Sequence, residues 1–304
     1  MYQAIRMKLK QNKNSISSLT AINLVFIYCV LISNANAIVF RHDIPAENFI
    51  AKESDFPAIF AVYDDGKIKD CVATLVAPTW ALTAAHCTAY LDKEQLANKP
   101  HLVKISGRNN EVVNLFYPEQ FGGYKMVRDD EGKVIDITVP KGLNYQYDIA
   151  LLKLSNPVKN VTPITIYAGK EEKGKDVLFL GWGDYSTGDV GVDNDNPKND
   201  RKFRMAWNQI DSISETQLFF DFDDPTATNS DALPLEGVSG PGDSGGPALL
   251  KTDTGYQVLG ISSAGAYSET LTPQPKNTGK YGWLEYYTRV SNVSKWLNDI
   301  MNRH

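Results

Sequence analysis

Nine short apolar or alternating runs, each bounded by turn residues, set the first limit on what this chain can fold into: AIFAVY, VATLVA, HLVKIS, EVVNLF, IALLKL, ITIYA, DVLFLGW, GYQVLGISS and YYTRVS. Runs this short suit strands, and Gly, Pro and Asn at the joints suit tight connections. Helical spacing is convincing only at the end, in SNVSKWLNDIMNRH, where Val293, Trp296, Leu297 and Ile300 share a face and Ser291 is the expected cap. The expected fold is therefore all-β, as antiparallel barrels or a sandwich, closed by a C-terminal helix. Two polar stretches, GDYSTGDVGVDNDNPKNDRK after Trp182 and GAYSETLTPQPKNTGKYG after Ser263, are expected to be long surface loops beside a cleft. Asp189, Asp193 and Asp195 in the first are read as a solvated loop, because no calcium-loop frame follows them.

The N-terminus has the three-part layout of a secretory signal. Arg6, Lys8, Lys10 and Lys13 precede the apolar run Ala21–Ile32, and Ala35-Asn36-Ala37 supplies small residues for cleavage. That run has 12 residues, short of the roughly 20 that a spanning helix needs. Export with cleavage after Ala37 is expected, with no membrane anchor. Losing residues 1–37 removes four positive charges and takes the formal net charge from −5 to −9. So acidic a surface argues against nucleic-acid binding. Cys29 leaves with the signal, so Cys71 and Cys87 remain as a pair, which in an exported chain reads as one disulfide. The remaining histidines, His42, His86, His101 and His304, form no ligand frame with them, and no metal is expected.

Three separated pieces carry the chemistry. In WALTAAHC, His86 stands beside Cys87 among small residues. In YDIALLKL, Asp148 opens an apolar run, where a carboxylate needs a partner such as an imidazole N–H. In GPGDSGGP, Gly240 to Pro247, a hydroxyl and a carboxylate sit among four glycines and two prolines. A nucleophilic Ser244 needs a base, an acid that orients the base, and N–H donors for an oxyanion. His86, Asp148 and the amides of Gly242 and Ser244 meet those needs. A lone histidine, a strand-edge acid and a bare turn are ordinary readings of each piece singly, and their joint occurrence is what makes the case.

CVATLVAPTWALTAAHC, YDIALLKL and GPGDSGGP, with GWG at Gly181–Gly183 and YTRVSNVSKWL from Tyr287, closely resemble the trypsin-like serine endopeptidases of the chymotrypsin fold, from about Phe56 onward. The resemblance implies two perpendicular, antiparallel, six-stranded β-barrels, about 38–158 and 159–304, behind a signal at 1–37. It implies His86 as general base, Asp148 as its orienting acid, Ser244 as nucleophile, and Gly242 with Ser244 as the oxyanion hole. GDSGG also fits the lipase nucleophile elbow, but the chain order His, Asp, Ser matches the chymotrypsin arrangement. A protease fold kept as an inactive binding module is the alternative in another class.

Departures from the family pattern concern specificity and activation. At the pocket floor, where an aspartate selects basic residues, the chain has Val238, followed by Ser239. Glu285 replaces a wall glycine, while Ser263 and Gly265 match the substrate-binding strand, with Ala264 between them in place of tryptophan. Cleavage after Ala37 exposes Ile38-Val39, and the resemblance implies an ion pair from the Ile38 ammonium to Asp243. The expected partners are protein or peptide substrates of a monomer that needs no cofactor.

Overall fold

Strand Lys69–Ala77 reads as an apolar run, and it is buried from Cys71 to Leu75. Strand Ala150–Leu154 buries Ala150, Leu151 and Leu152 in succession. Neither alternates, because both faces of a central strand are covered. They lie inside an antiparallel six-stranded sheet ordered Ile59–Asp64, Lys69–Ala77, Trp80–Thr83, Ala150–Leu154, Arg108–Phe116, His101–Ile105. Its first and last strands approach each other, curling the sheet into a barrel. Leu75, Leu82, Val112, Leu115 and Leu151, all fully buried, fill it.

This computed structural model describes residues 38–131, 134–138, 144–268 and 273–304. The expected signal at 1–37, with Cys29, lies outside the described residues. A second sheet follows the order Arg204–Gln209, Asp176–Gly181, Pro247–Thr252, Gly255–Tyr267, Trp283–Arg289, Gln217–Asp221, Ser212–Ile213. Thr165–Ile166 joins Gly255–Tyr267 in parallel, making this sheet eight-stranded. Its core is aromatic: Phe179 stacks on Tyr287 at 4.8 Å and meets Phe220 edge-on at 5.0 Å. The N-terminal strand Ile38–Phe40 runs beside Gly237–Val238, with Val39 opposite Val238.

Two expectations need correction. The helix spans Val290–Arg303 and buries Val293 and Leu297 as its spacing predicts, but its cap is Arg289, not Ser291. Ser291 sits in the first turn, where the buried carboxylate of Glu172 accepts its hydroxyl proton at 2.6 Å. Nor are the two polar stretches merely solvated. Val192 and Thr278 exchange backbone hydrogen bonds of 2.8 and 3.1 Å, and Tyr281 N donates to Gly188 O at 2.9 Å. Val192 is buried against Val39, Phe222 and Val238, so one apolar side chain anchors an otherwise polar loop. Asp193 accepts the Asp195 amide at 3.0 Å, a local turn bond.

Candidate active site

Small residues let the chain turn sharply after strand Trp80–Thr83. Ala84 and Ala85 are fully buried, and a 3-10 turn, His86–Thr88, follows at once. Hydroxyls brace that turn from beneath: Tyr63 donates to Cys87 O at 2.7 Å, and Thr88 Oγ1 donates to Ala85 O and meets Tyr117 OH, each at 2.7 Å. The Cys71–Cys87 disulfide, Cα to Cα 5.9 Å, ties the turn to strand Lys69–Ala77.

Asp148, fully buried, follows the 3-10 turn Tyr145–Tyr147. One carboxylate oxygen accepts the His86 amide at 2.8 Å; the other pairs with His86 Nδ1 at 2.6 Å and accepts the Ser263 hydroxyl at 2.7 Å. Ser263, expected on the substrate-binding strand, thus has its side chain engaged by Asp148. With Nδ1 donating to the carboxylate, the neutral ring presents Nε2 as an acceptor on its open side. About a quarter of the His86 side chain reaches solvent. Burial opposes a charge on His86, but the field and hydrogen bond of Asp148, with help from Asp70, raise its pKa above the ordinary value.

The Gly240–Pro247 segment is held from both sides. Cys71 N and Val72 N donate to Gly242 O and Ser244 O at 2.9 and 2.8 Å. From the second sheet, Ser262 O accepts Gly245 N and Ser262 N donates to Gly246 O, each at 2.8 Å. Among the described residues, neither the Gly242 nor the Ser244 amide donates to a protein acceptor, so two N–H groups stay available side by side. Gly242 needs its φ of 97°, and a Cβ there would also press to 3.0 Å on Gly183 Cα. Cys87 Sγ lies 3.4 Å from Ser244 O and 3.9 Å from His86 Nε2, so serine and imidazole flank one sulfur. The Ser244 hydroxyl closes no hydrogen bond among the described residues; such contacts are often loose in free enzymes and tighten around substrate.

Asp243 points away from the cleft. Gly183 N and Gly240 N donate to its two oxygens at 2.6 and 2.9 Å, and Gly181 has no side chain to block it. Burial pushes this carboxyl up to about 7, against the pull of those amides and of Arg204. Ile38 is buried nearby in the strand next to Val238, yet no contact joins it to Asp243 among the described residues.

The expected pocket residues do meet. Val238 is fully buried; Ser239 N donates to Glu285 Oε2 at 2.7 Å, and Ser239 Oγ meets Tyr287 OH at 2.6 Å. Gly265 stands directly opposite Glu285 in the sheet. Burial pushes Glu285 up to about 8, against the Ser239 amide. Trp283 was not expected here. Its indole lies in the space a side chain on Gly265 would occupy, and its ring meets Tyr267 at 4.8 Å.

A family model described as Trypsin matches residues 48–297, which contain His86, Asp148 and Ser244. The chain belongs to the trypsin family. Its serine-endopeptidase activity is assigned at that level. Lectizyme of Glossina austeni is 25% identical over 92% of this chain and 97% of that protein. Mouse kallikrein-11 is 26% identical over 77% of this chain and 74% of that protein. Among solved structures, neuropsin, a serine protease of mouse brain, superposes with a TM-score of 0.56 at 18% identity, covering 83% of this chain and 98% of that one. That likeness supports the chymotrypsin fold. The one grouping of three metal-ligand side chains among the described residues, Cys71, His86 and Cys87, includes both disulfide sulfurs.

Proposed function

We propose that this chain is an exported, monomeric serine endopeptidase that cleaves proteins or peptides through Ser244, His86 and Asp148. The observation that carries the reading is the double hydrogen bond from His86 to Asp148, at 2.8 and 2.6 Å, which fixes the ring with Nε2 toward the Ser244 segment. Ser244 Oγ attacks the scissile carbonyl carbon while Nε2 takes its proton. The oxyanion that forms is held by the amides of Gly242 and Ser244. Collapse breaks the C–N bond, the imidazolium gives its proton to the departing amine, and an ester to Ser244 remains. Water, deprotonated by His86, then releases the acid and restores the serine. Asp148 stays ionised throughout and stabilises the imidazolium.

Beside Ser244, the recess of Val238, Ser239, Gly265 and Glu285 receives the residue before the cleaved bond. Its floor carries no charge, and below pH about 8 its wall carboxyl is neutral. Trp283 shortens it, so small or compact apolar side chains fit best. Removal of residues 1–37 during export gives Ile38 an ammonium, and the adjoining strand pairing supports its entry toward Asp243.

A fluorophosphonate probe tests the central claim. Wild-type protein is expected to label at Ser244 and hydrolyse casein, and Ser244→Ala to do neither. A folded wild type that neither labels nor hydrolyses casein is the inactive binding module instead.

A further inference from the structure

Asp70 touches no reacting atom, but its charge helps to raise the His86 pKa, and its carboxylate lies beside Gly242. It lies in strand Lys69–Ala77 immediately before Cys71, and its Oδ1 accepts the Cys71 amide at 2.9 Å, the same amide that donates to Gly242 O. Folded back in this way, Oδ1 comes within 3.6 Å of where a Cβ on Gly242 would stand. The carboxylate is open to solvent in the cleft although protein atoms crowd it, and that crowding raises its pKa, with the Cys71 amide and His86 opposing.

Neighbouring cations are engaged elsewhere. Lys69 turns away to Glu53 at 2.6 Å and lies over the Trp182 ring, and Arg201 pairs with Asp64 at 2.9 Å. Among the described residues no Lys or Arg pairs with Asp70. Asp184 adds to the local negative charge: its amide is 3.8 Å from the same Gly242 Cβ position, and burial pushes its carboxyl to about 6, with Asn199 opposing and Asp70 adding.

Negative charge develops on the substrate oxygen between the Gly242 and Ser244 amides, so a carboxylate alongside Gly242 repels the transition state unless something neutralises it. Among the described residues no Lys or Arg is paired with Asp70 to do so; the His86 imidazolium offsets part of the charge as it forms, and a cationic substrate can offset the rest. Ser262 to Gly265 and the Glu285 recess lie on one side of the Ser244 segment, and Cys71 with Val72 on the other. With the residue before the cut in the Glu285 recess, as the endopeptidase reading has it, the side of Cys71 and Asp70 is left to the departing part.

We propose that Asp70 is a specificity-determining residue for the departing side of the substrate, selecting peptides with lysine or arginine at the first or second position after the cleaved bond. The inference rests on the serine-endopeptidase reading. It places the selection in kcat/KM, because neutralising Asp70 matters most as the oxyanion forms.

Internally quenched peptides that differ only at those two positions, with Arg, Gln or Glu, provide the test at pH 8. Wild type is expected to favour Arg over Glu by about ten-fold or more. Asp70→Asn reduces the ratio to within about three-fold, and high salt narrows it in wild type because an exposed pair is screened. Asp184→Asn, which removes only a reinforcing charge, keeps most of the preference. Fluorophosphonate labelling of each variant reports a folded, competent Ser244. Labelled wild type that cleaves Arg and Glu peptides equally, or a preference that survives in labelled Asp70→Asn, overturns this inference alone. Loss of both labelling and cleavage in wild type overturns the endopeptidase reading and this inference with it.

Discussion

Glu285 shows how far a single residue can be read from sequence. Alignment on YTRV implies a pocket wall, and the sheet register sets Glu285 opposite Gly265. Its hydrogen bond to Ser239 N and its raised pKa are invisible in the sequence, because both depend on how completely the recess excludes water. Trp283 is harder still: two residues away on the same strand, it shares a face with Glu285 only by the period of two, and its ring direction is set by packing on Tyr267. If this pair limits the recess, Glu285→Gly opens it, and cleavage-site profiling on a peptide library shows larger side chains accepted before the cut, with kcat/KM for aromatic residues up about ten-fold. An unchanged profile means Glu285 does not touch substrate. His86, Asp148 and Ser244 stand out for a different reason: each piece alone has an ordinary reading, and it is their joint occurrence and chain order that single them out.

The strands themselves were legible because length and turn residues delimit them, but the roles of two elements depend on partners distant in sequence. Val192 and Thr278 are paired across 86 positions, and no local pattern announces a bridge of that kind. The strand Ile38–Phe40 is similar: its three buried residues read as apolar, while its partners, the short strands Tyr185–Thr187 and Gly237–Val238, lie far away in sequence. This pairing holds Gly237–Val238, six residues ahead of Ser244, and so ties the N-terminal strand to the Gly240–Pro247 segment. Ile38 adopts a left-handed φ of 66°, unusual for a β-branched residue. In the proposed enzyme, a free ammonium at Ile38 entering toward Asp243 is the group that stabilises its ionised form and the Gly242 and Ser244 amides with it. One extra residue before Ile38 buries a neutral amide instead. Mature protein extended by one residue is expected to lose at least about ten-fold in kcat/KM, consistent with losing one charged hydrogen bond. Full activity in the extended form, checked by mass spectrometry of the intact N-terminus, removes the ion pair from the mechanism.

Across the whole molecule, burial of acids dominates the electrostatics, and this could not be read from a formal charge of −5. Burial pushes Glu285 to about 8, Asp243, Asp211 and Glu236 to about 7, and Asp223 and Asp184 to about 6. His86 is raised as well. The linkage has one sign for all of them. Between the unfolded and the folded pKa, the folded chain holds a proton that the unfolded chain has released, so stability falls as pH rises. For the carboxyls the window opens near pH 4 and closes between about 6 and 8; for His86 it opens near 6.5. Acids whose pKa is lowered, such as Glu172 beside Arg289, contribute stability that is fully present above their unfolded pKa and is lost only as pH falls further. On this account stability is greatest near pH 4, where the window opens, while the activity of the proposed enzyme needs neutral His86 and rises through a pKa above 6.5. Thermal melts of the Ser244→Ala protein, which cannot digest itself, are expected to show Tm falling by at least about 5 °C between pH 5 and 8.5, at roughly 2–4 °C per kcal/mol for a chain of this size. Glu285→Gln keeps a neutral group at every pH and flattens the upper part of that slope, above pH 6. A flat Tm over the same range means that these acids ionise in the folded protein as they do in the unfolded chain, a rising one that they ionise more readily when folded, and with either result the buried-acid account fails.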